Sequence, residues 1–195
     1  DIDKTRISEL KNKYDRTREI DEDEFDAANL ITFSDEEKEI KDCNIYILTV
    51  PTPINKLNQP DLSHLKNACH IVGKCLSSGD IVVIESTVYP EATEEVCVPI
   101  LSKESRLNYI NEANDYLEDG FYCAYSPERI NPGDKENRLT SIKKIVSGST
   151  KSTLDIIDAL YSSIIKAGVV RAKSIKAAEA AKVIENTQRD LNIAL

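Results

Sequence analysis

The chain contains no methionine, no tryptophan and only 6 glycines in 195 residues. No apolar run approaches the ~20 residues that a membrane-spanning helix requires, so a membrane protein of that class is excluded. The formal net charge is −9, and no basic stripe is present to bind phosphates, which argues against a nucleic-acid partner. The chain also opens without a signal peptide. These absences predict a soluble cytoplasmic protein.

The 5 cysteines lack the paired spacing of a zinc site or of a disulfide framework. We predict that all of them lie on apolar faces, as expected in a reducing cytoplasm. One predicted helix carries four residues of types that can ligate a metal: His64, Cys69, His70 and Cys75. The sulfurs fall on its apolar face without a CxxC or HxxxH pair, so we interpret them as buried core groups and predict no metal site.

Short apolar runs alternate with helical patterns along the chain. Strands are predicted at 30–33, 45–50, 81–84, 121–125, 144–147 and 169–172, with the end of a strand at 1–3. Helices are predicted after Asp3, after Ser34 in a capping box with Glu37, after Asp61, at about 91–101, at 153–165, and from Ser174 to the end. This alternation predicts an α/β fold with a Rossmann-like, doubly wound parallel sheet.

The two ends of the chain predict an internal fragment of a longer protein. Asp1-Ile2-Asp3 has the pattern of a strand already under way, and the last helical pattern closes without a capping glycine or proline. A glycine-rich phosphate loop, expected about 20 residues before the ribose-binding acid of a dinucleotide fold, is absent. We therefore predict a partial NAD-binding domain over residues 1–173, lacking its first strand and glycine-rich loop, and the start of a long central helix over residues 174–195.

Polar residues follow four predicted strand ends: Asp1, Thr52, Thr87 and Glu128. The carboxyl ends of parallel strands lie along one edge of a sheet, where ligands bind. An acid after the second strand binds the ribose hydroxyls of a dinucleotide and disfavours a 2′-phosphate, so Asp1 predicts NAD rather than NADP. Together the four residues favour a cofactor cleft.

The loop that follows the predicted strand at 121–125 is stiffened by Pro127 and Pro132. It presents the carboxylate of Glu128 beside the guanidinium of Arg129, an arrangement that suits an anionic or hydroxyl-rich substrate. A solvated surface connection is the alternative interpretation, because charged loops are common.

The last predicted helix has two different faces. Lys182, Asn186 and Arg189 share one face by helical spacing, and such a polar stripe is usually solvated. The opposite face is small and apolar: Ala178, Ala181, Val183 and Ile184. Because small residues allow another helix to pack closely, we predict a homodimer contact through this central helix.

Four motifs occur in order along the chain. They are Val50-Pro51-Thr52-Pro53, Glu85-Ser86-Thr87-Val88, Ser126-Pro127-Glu128-Arg129-Ile130-Asn131-Pro132-Gly133 and Lys182-x-x-x-Asn186. In this order and at these distances they resemble the UDP-glucose/GDP-mannose dehydrogenase family, most closely the bacterial UDP-N-acetylhexosamine 6-dehydrogenases that serve capsule and O-antigen synthesis. The resemblance covers essentially the whole chain. It implies an NAD-dependent enzyme that oxidises the C6 alcohol of a UDP-N-acetylhexosamine to the uronic acid in two hydride transfers.

The resemblance also implies a role for individual residues. The residues it assigns to cofactor binding are Asp1, Arg6, Val50, Thr52 and Thr87. Those it assigns to substrate binding are Glu128, Arg129, Ile130, Lys182, Asn186 and Arg189. Four of these residues would be catalytic: Glu128 as general base, Lys182 stabilising negative charge on the substrate oxygen, Asn186 as its polar partner, and Thr87 near the reacting carbon.

Two departures from the family pattern matter. Family members that act on UDP-glucose carry a second glutamate four residues after the first, where this chain has Pro132, so the N-acetylhexosamine branch is favoured. The family's nucleophilic cysteine lies in a glycine-rich segment beyond the long helix, and none of the five cysteines here has that setting. The fragment by itself is therefore predicted to be inactive. A single-step hydroxyacid-type NAD dehydrogenase and a non-catalytic nucleotide-binding module stay as alternatives.

Overall fold

The computed structural model describes residues 1–20, 22–128 and 139–195. The contacts among these residues divide the chain into two compact units, Asp1–Asp42 and Cys43–Leu195. The sequence did not indicate a boundary after Asp42. The predicted boundary after residue 173 concerns the start of a further domain and stays a prediction.

The first unit contains two short helices, α1 (Lys4–Lys11) and α2 (Glu22–Ala27), and a 3₁₀ turn at Glu37–Ile40. Asp3 caps α1 as predicted, because its Oδ1 accepts the N–H groups of Thr5 and Arg6 at 2.9 and 3.1 Å.

The strands predicted at 1–3 and 30–33 are wrong, since neither segment has regular structure. The described part of this unit contains no strand with which they could pair, and a strand needs such a partner to satisfy its backbone groups. The predicted capping box also differs, because the Ser34 hydroxyl accepts the N–H of Glu36 at 3.0 Å and a 3₁₀ turn follows.

The second unit is built on a six-stranded sheet. Its strands are β1 (Ile45–Leu48), β2 (Ile81–Ile84), β3 (Asn108–Tyr109), β4 (Gly120–Tyr125), β5 (Lys144–Gly148) and β6 (Val169–Arg171). Their order across the sheet is β1-β2-β4-β5-β6, with β3 beside β4. All four side chains of β2 are buried, which explains why this strand is an unbroken run of apolar residues.

Among the described residues, four helices pack with this sheet: α3 (Ser63–Gly73), α4 (Val98–Ser105), α5 (Lys151–Ser162) and α6 (Ile175–Ala194). A π-helical turn at Thr93–Cys97 precedes α4. The hydroxyls of Thr150 and Ser174 cap α5 and α6, the second as predicted. The predicted cap Asp61 lies one residue before the actual cap position, Leu62, although its carboxylate accepts the N–H of Ser63 at 2.9 Å.

The sheet is mixed rather than wholly parallel, which corrects the prediction. β1, β2 and β4 run parallel, but β5 is antiparallel to β4, with Tyr125 opposite Ser147. β6 is parallel to β5 and so also runs in the reverse direction. An unbroken apolar run shows that both faces of a strand are covered and leaves its direction open. The reversal brings the first residue of β5, Lys144, to the carboxyl edge of β4.

The core between the sheet and α5 consists of apolar side chains from both. Its members are Ile81, Val83, Ala124, Val146, Ile157, Tyr161 and Ile165. Cys69, Cys75, Cys97 and Cys123 are buried as predicted, whereas Cys43 is exposed and contradicts the prediction for that residue. Cys43 lies two residues before β1, outside the helices and strands. None of the helices in the three described ranges has both the length and the apolar character needed to cross a bilayer.

Candidate functional site

A cleft of about 230 Å³ opens at the carboxyl ends of β1, β2 and β4. Its lining consists of strand-end residues: Thr49, Val50, Pro51, Thr52, Glu85, Ser86, Thr87 and Glu128. The position is the one at which open α/β sheets bind ligands, because the loops diverge there and leave a crevice. Three of the four predicted strand-end residues, Thr52, Thr87 and Glu128, therefore lie around one cavity.

Two hydroxyl groups join the segments that follow β1 and β2. The Thr52 hydroxyl donates to the carbonyl oxygen of Thr87 at 2.8 Å, and the Ser86 hydroxyl donates to the carbonyl oxygen of Val50 at 2.7 Å. These reciprocal bonds fix the two loop starts relative to each other. The residues predicted to bind the cofactor in this unit lie together, and their role stays a prediction.

Lys182 of α6 does not itself line the cleft, but it contacts Glu128, which does. Its side chain is only 8% exposed, and its ammonium donates a hydrogen bond to the carbonyl oxygen of Glu128. The expectation of a solvated stripe is therefore wrong for Lys182, because the start of α6 packs against β4 and β5. The structure thus brings together Lys182 and Glu128, which lie 54 residues apart in sequence.

Asn186 and Arg189 follow Lys182 on the same helix and are partly exposed. Arg189 forms an ion pair with Glu185, Nη2 to Oε1, at 3.5 Å. Among the residues that the structure describes, neither Asn186 nor Arg189 lines the cleft. The predicted substrate contacts Arg129 and Ile130, with the rest of their motif up to Gly133, lie outside the described residues.

Asp1 and Arg6 belong to the first unit. Asp1 is exposed, and its Oδ1 accepts the N–H of Asp3 at 2.9 Å. The Arg6 guanidinium pairs with Asp15, Nη2 to Oδ1, at 2.7 Å. Burial alone would raise the pKa of Asp15, but hydrogen bonds from Thr17, Arg6 and backbone N–H groups outweigh it and hold this pKa well below its usual range. Asp15 thus orients Arg6, and the predicted cofactor roles of Asp1 and Arg6 stay predictions.

A buried ion pair beside the cleft was missed by sequence reasoning. Lys144 at the start of β5 pairs with Glu85, Nζ to Oε1, at 2.9 Å. The Tyr161 hydroxyl donates to the same carboxylate oxygen. Burial raises the pKa of Tyr161, with the Glu85 charge adding to the shift, so the phenol stays a neutral donor. Lys144 directly follows Lys143 and precedes an apolar run, and this local pattern carries no signal for such a partner.

Glu179 is a second residue that the sequence did not single out. It is completely buried on α6, and its two carboxylate oxygens accept the N–H groups of Glu91 and Thr93 at 2.6 and 2.9 Å. Burial raises the pKa of Glu179, and these hydrogen bonds partly oppose the shift. The contact joins α6, one turn before Lys182, to the segment that follows Thr87.

The four ordered motifs and the cleft can now be compared with known proteins. A model of the UDP-glucose/GDP-mannose dehydrogenase family, NAD binding domain, matches residues 1–165. The chain belongs to the UDP-glucose/GDP-mannose dehydrogenase family. Its cofactor is therefore NAD, and the Rossmann-like α/β class predicted from the sequence is confirmed.

The relatives are nucleotide-sugar dehydrogenases. A UDP-N-acetyl-D-glucosamine 6-dehydrogenase of Salmonella typhi is 56% identical over 100% of this chain and 44% of its own length. One of the same description from Pseudomonas aeruginosa is 53% identical over 100% of this chain and 44% of its own length. A solved UDP-D-ManNAc dehydrogenase from Pyrococcus horikoshii superposes with a TM-score of 0.83 at 28% identity, over 100% of this chain and 45% of that one. The chain thus spans less than half the length of these family members.

The cleft residues of this family member fit a nicotinamide cofactor. The cleft lies at the carboxyl edge of three parallel strands, and its lining includes the short side chains of Thr49, Ser86 and Thr87 but no aromatic ring among the described residues. Such a lining leaves room for a planar ring and supplies hydroxyl and backbone groups to hydrogen-bond its substituents.

Proposed function

We propose that this chain is the cofactor-binding part of a UDP-N-acetylhexosamine 6-dehydrogenase. The enzyme would oxidise the C6 alcohol of the sugar to the uronic acid in two hydride transfers, in the cytoplasm, for capsule or O-antigen polysaccharide synthesis. The substrate class is supported by two relatives above 50% identity that carry the description UDP-N-acetyl-D-glucosamine 6-dehydrogenase. The observation that carries the proposal is the contact of Lys182 with the loop of Glu128 at the edge of the cleft.

The chain's own residues have distinct tasks in this proposal. NAD supplies the hydride acceptor. Val50, Thr52 and Thr87 hold it at the ends of β1 and β2, and the ribose contacts that the family resemblance implies for Asp1 and Arg6 stay predictions. These contacts would place the cofactor next to the loop that carries Glu128.

Lys182 and Glu128 would act on the substrate. Loss of hydride from C6 requires removal of the hydroxyl proton, for which Glu128 is the general base. The Lys182 ammonium stabilises the negative charge that develops on the same oxygen, since a positive charge held in a largely buried site is already oriented before the reaction. Asn186 supports Lys182, and Arg129, Ile130 and Arg189 contact the nucleotide sugar.

The second oxidation needs a nucleophile that this chain does not supply. None of the 5 cysteines lines the cleft, and Cys69, Cys97 and Cys123 are completely buried. The hydrogen bond with the Cys69 thiol, together with burial, raises the pKa of the Cys97 thiol, and burial raises the pKa of the Cys123 thiol. A buried neutral thiol is a poor nucleophile. The catalytic cysteine is therefore proposed to lie in a segment outside this chain, and the chain alone should be inactive.

The decisive experiment counts NADH released per molecule of UDP-N-acetylglucosamine consumed by the full-length protein. Two NADH per sugar is the expected result, because alcohol and aldehyde are oxidised in turn. One NADH per sugar would contradict the proposal and indicate the single-step dehydrogenase. No turnover with any UDP-N-acetylhexosamine, together with tight NAD binding, would indicate a non-catalytic nucleotide-binding module.

A further inference from the structure

We propose that Lys144 and Glu85 form a positioning pair that holds the loop of Glu128 and the end of β2 in the geometry needed for hydride transfer. The inference rests on the proposed function of the cleft. Glu85 opens one of the four motifs but has no role assigned to it there, and Lys144 lies outside all four.

Lys144 is enclosed by polar and aromatic groups from three elements. Its side chain is 4% exposed and that of Glu85 is 16% exposed. The ammonium lies 2.9 Å from Glu85 Oε1, 3.4 Å from the carbonyl oxygen of Ser126, and 4.7 Å from the centre of the Tyr161 ring. Because the Tyr161 hydroxyl donates to the same Glu85 oxygen, α5 and β5 together fix this carboxylate.

Two lysines hold the loop that carries Glu128, one on each side of Pro127. Lys144 of β5 donates to the carbonyl of Ser126, and Lys182 of α6 donates to the carbonyl of Glu128. The Ser126 hydroxyl adds a bond to the carbonyl of Ile145 at 2.8 Å. The position of the Glu128 backbone is therefore set by β5 and α6 as well as by its own strand.

Glu85 joins this arrangement to the cofactor side of the cleft. It lines the cleft and precedes Thr87 by two residues. Lys144 thus connects the end of β2, which carries Thr87, with the end of β4, which carries Glu128. A shift of either end would change the distance between the groups that contact cofactor and substrate, and small misplacements of reacting groups lower rates by up to about 10²-fold.

Stability alone explains this pair poorly. Desolvation of two charges offsets most of their attraction, so a buried ion pair is often replaceable by neutral residues without loss of stability. Removal of one partner is different, because it leaves an uncompensated buried charge. The positioning role therefore predicts that stability and activity separate when both charges are removed.

The test compares Lys144→Met, the double variant Lys144→Met with Glu85→Gln, and wild type in the full-length protein. Lys144→Met should lower both the melting temperature and kcat. The double variant should regain most of the melting temperature that Lys144→Met loses relative to wild type. Its kcat should stay at least tenfold below that of wild type, with KM for NAD changed by less than about threefold. Lys38→Met, which removes a lysine from an exposed pair with Glu36, is the matched control and should leave all three quantities unchanged.

Recovery of kcat together with the melting temperature in the double variant would overturn the proposal and leave a structural role. If wild-type protein releases no NADH, the proposed function fails, and the positioning role is then judged by amide hydrogen exchange of residues 120–128. Faster exchange of this segment in the stable double variant would support it, and unchanged exchange would overturn it.

Discussion

At the scale of single residues, Lys182 shows that a short motif does not determine whether its side chains are solvated or buried. The spacing of Lys182 and Asn186 placed them on one helix face, where a solvated stripe is the usual outcome. The fold instead buries Lys182 and directs its ammonium to the carbonyl oxygen of Glu128. A lysine held in this way is oriented by the protein before any substrate arrives.

Replacing Lys182 with methionine should therefore lower kcat of the full-length protein by about 10²- to 10³-fold, the usual effect of losing one preorganised charge-stabilising group. The methionine keeps most of the side-chain volume, so the melting temperature should change little by comparison. Steady-state kinetics with UDP-N-acetylglucosamine measures the effect. Lys173→Met, at an exposed position before α6, is the control, and a similar loss of kcat in both variants would contradict the assigned role.

The cleft residues that sequence reasoning found share one property: they follow strands. Thr52, Thr87 and Glu128 each come after an apolar run, and the geometry of a parallel sheet places such residues at one edge. Glu85 also follows a strand, but its partner Lys144 lies 59 positions later at the beginning of another strand. Nothing local in the sequence connects the two, because their contact depends on the direction of β5.

At the scale of secondary-structure elements, the reversal of β5 has a direct consequence for the site. In a wholly parallel sheet, Lys144 at the amino end of β5 would lie at the edge opposite the cleft. Because β5 is antiparallel to β4, that end meets the carboxyl ends of β2 and β4. The strand was correctly predicted from its apolar residues, and its direction was not.

Glu179 links two elements and leads to a pH-dependence prediction. Burial raises the pKa of this carboxyl in the folded state, so folding favours the protonated form. The stability that this shift contributes is fully present below the ordinary pKa of glutamate and is lost as the pH rises through the raised pKa of Glu179. Glutamine at this position does not titrate. The melting temperature of Glu179→Gln minus that of wild type should therefore increase between about pH 4 and pH 7.

Thermal unfolding of the full-length variant and wild type across this pH range measures the difference. Glu118→Gln, at an exposed position, controls for the loss of one negative charge. A melting-temperature difference for Glu179→Gln that stays constant or falls with pH would contradict the prediction. Glu94 is the charged neighbour that adds to the raised pKa of Glu179, so the same trend should weaken in a Glu94→Gln background.

At the scale of the whole molecule, the central helix carries the proposed homodimer contact. Ala178 is completely buried within this chain, so the first part of the small-residue face already packs intramolecularly. Further along α6, Ile184 and Leu191 are 66% and 61% exposed and lie seven residues apart on one face. In the proposed homodimer, these larger side chains, rather than the buried Ala178, would be the groups that a second copy covers.

The full-length protein should therefore be a dimer at micromolar concentration, and Ile184→Asp combined with Leu191→Asp should convert it to a monomer. Two carboxylates in an apolar contact would have to lose their hydration when the dimer forms, and this large desolvation cost disfavours association. Light scattering coupled to size separation measures the mass. Leu57→Asp, at another exposed apolar position, should leave the dimer intact, and a monomeric wild type would rule out the contact.

The sequence by itself determined the α/β class, the strands β1, β2 and β4, the caps of α1 and α6, and the strand-end residues Thr52, Thr87 and Glu128. These features follow from apolar patterning and local hydrogen bonding, which act over a few residues and are therefore visible in the chain order. The tertiary structure alone decided the direction of β5, the burial of Lys182, and the pairs that join Glu85 to Lys144 and Glu179 to the start of the π-helical turn. The contacts of Lys182, Glu85 and Glu179 join residues more than 50 positions apart, and the direction of β5 is set by pairing between residues 22 or more positions apart. Contacts over such separations depend on how whole elements pack, which no local pattern records.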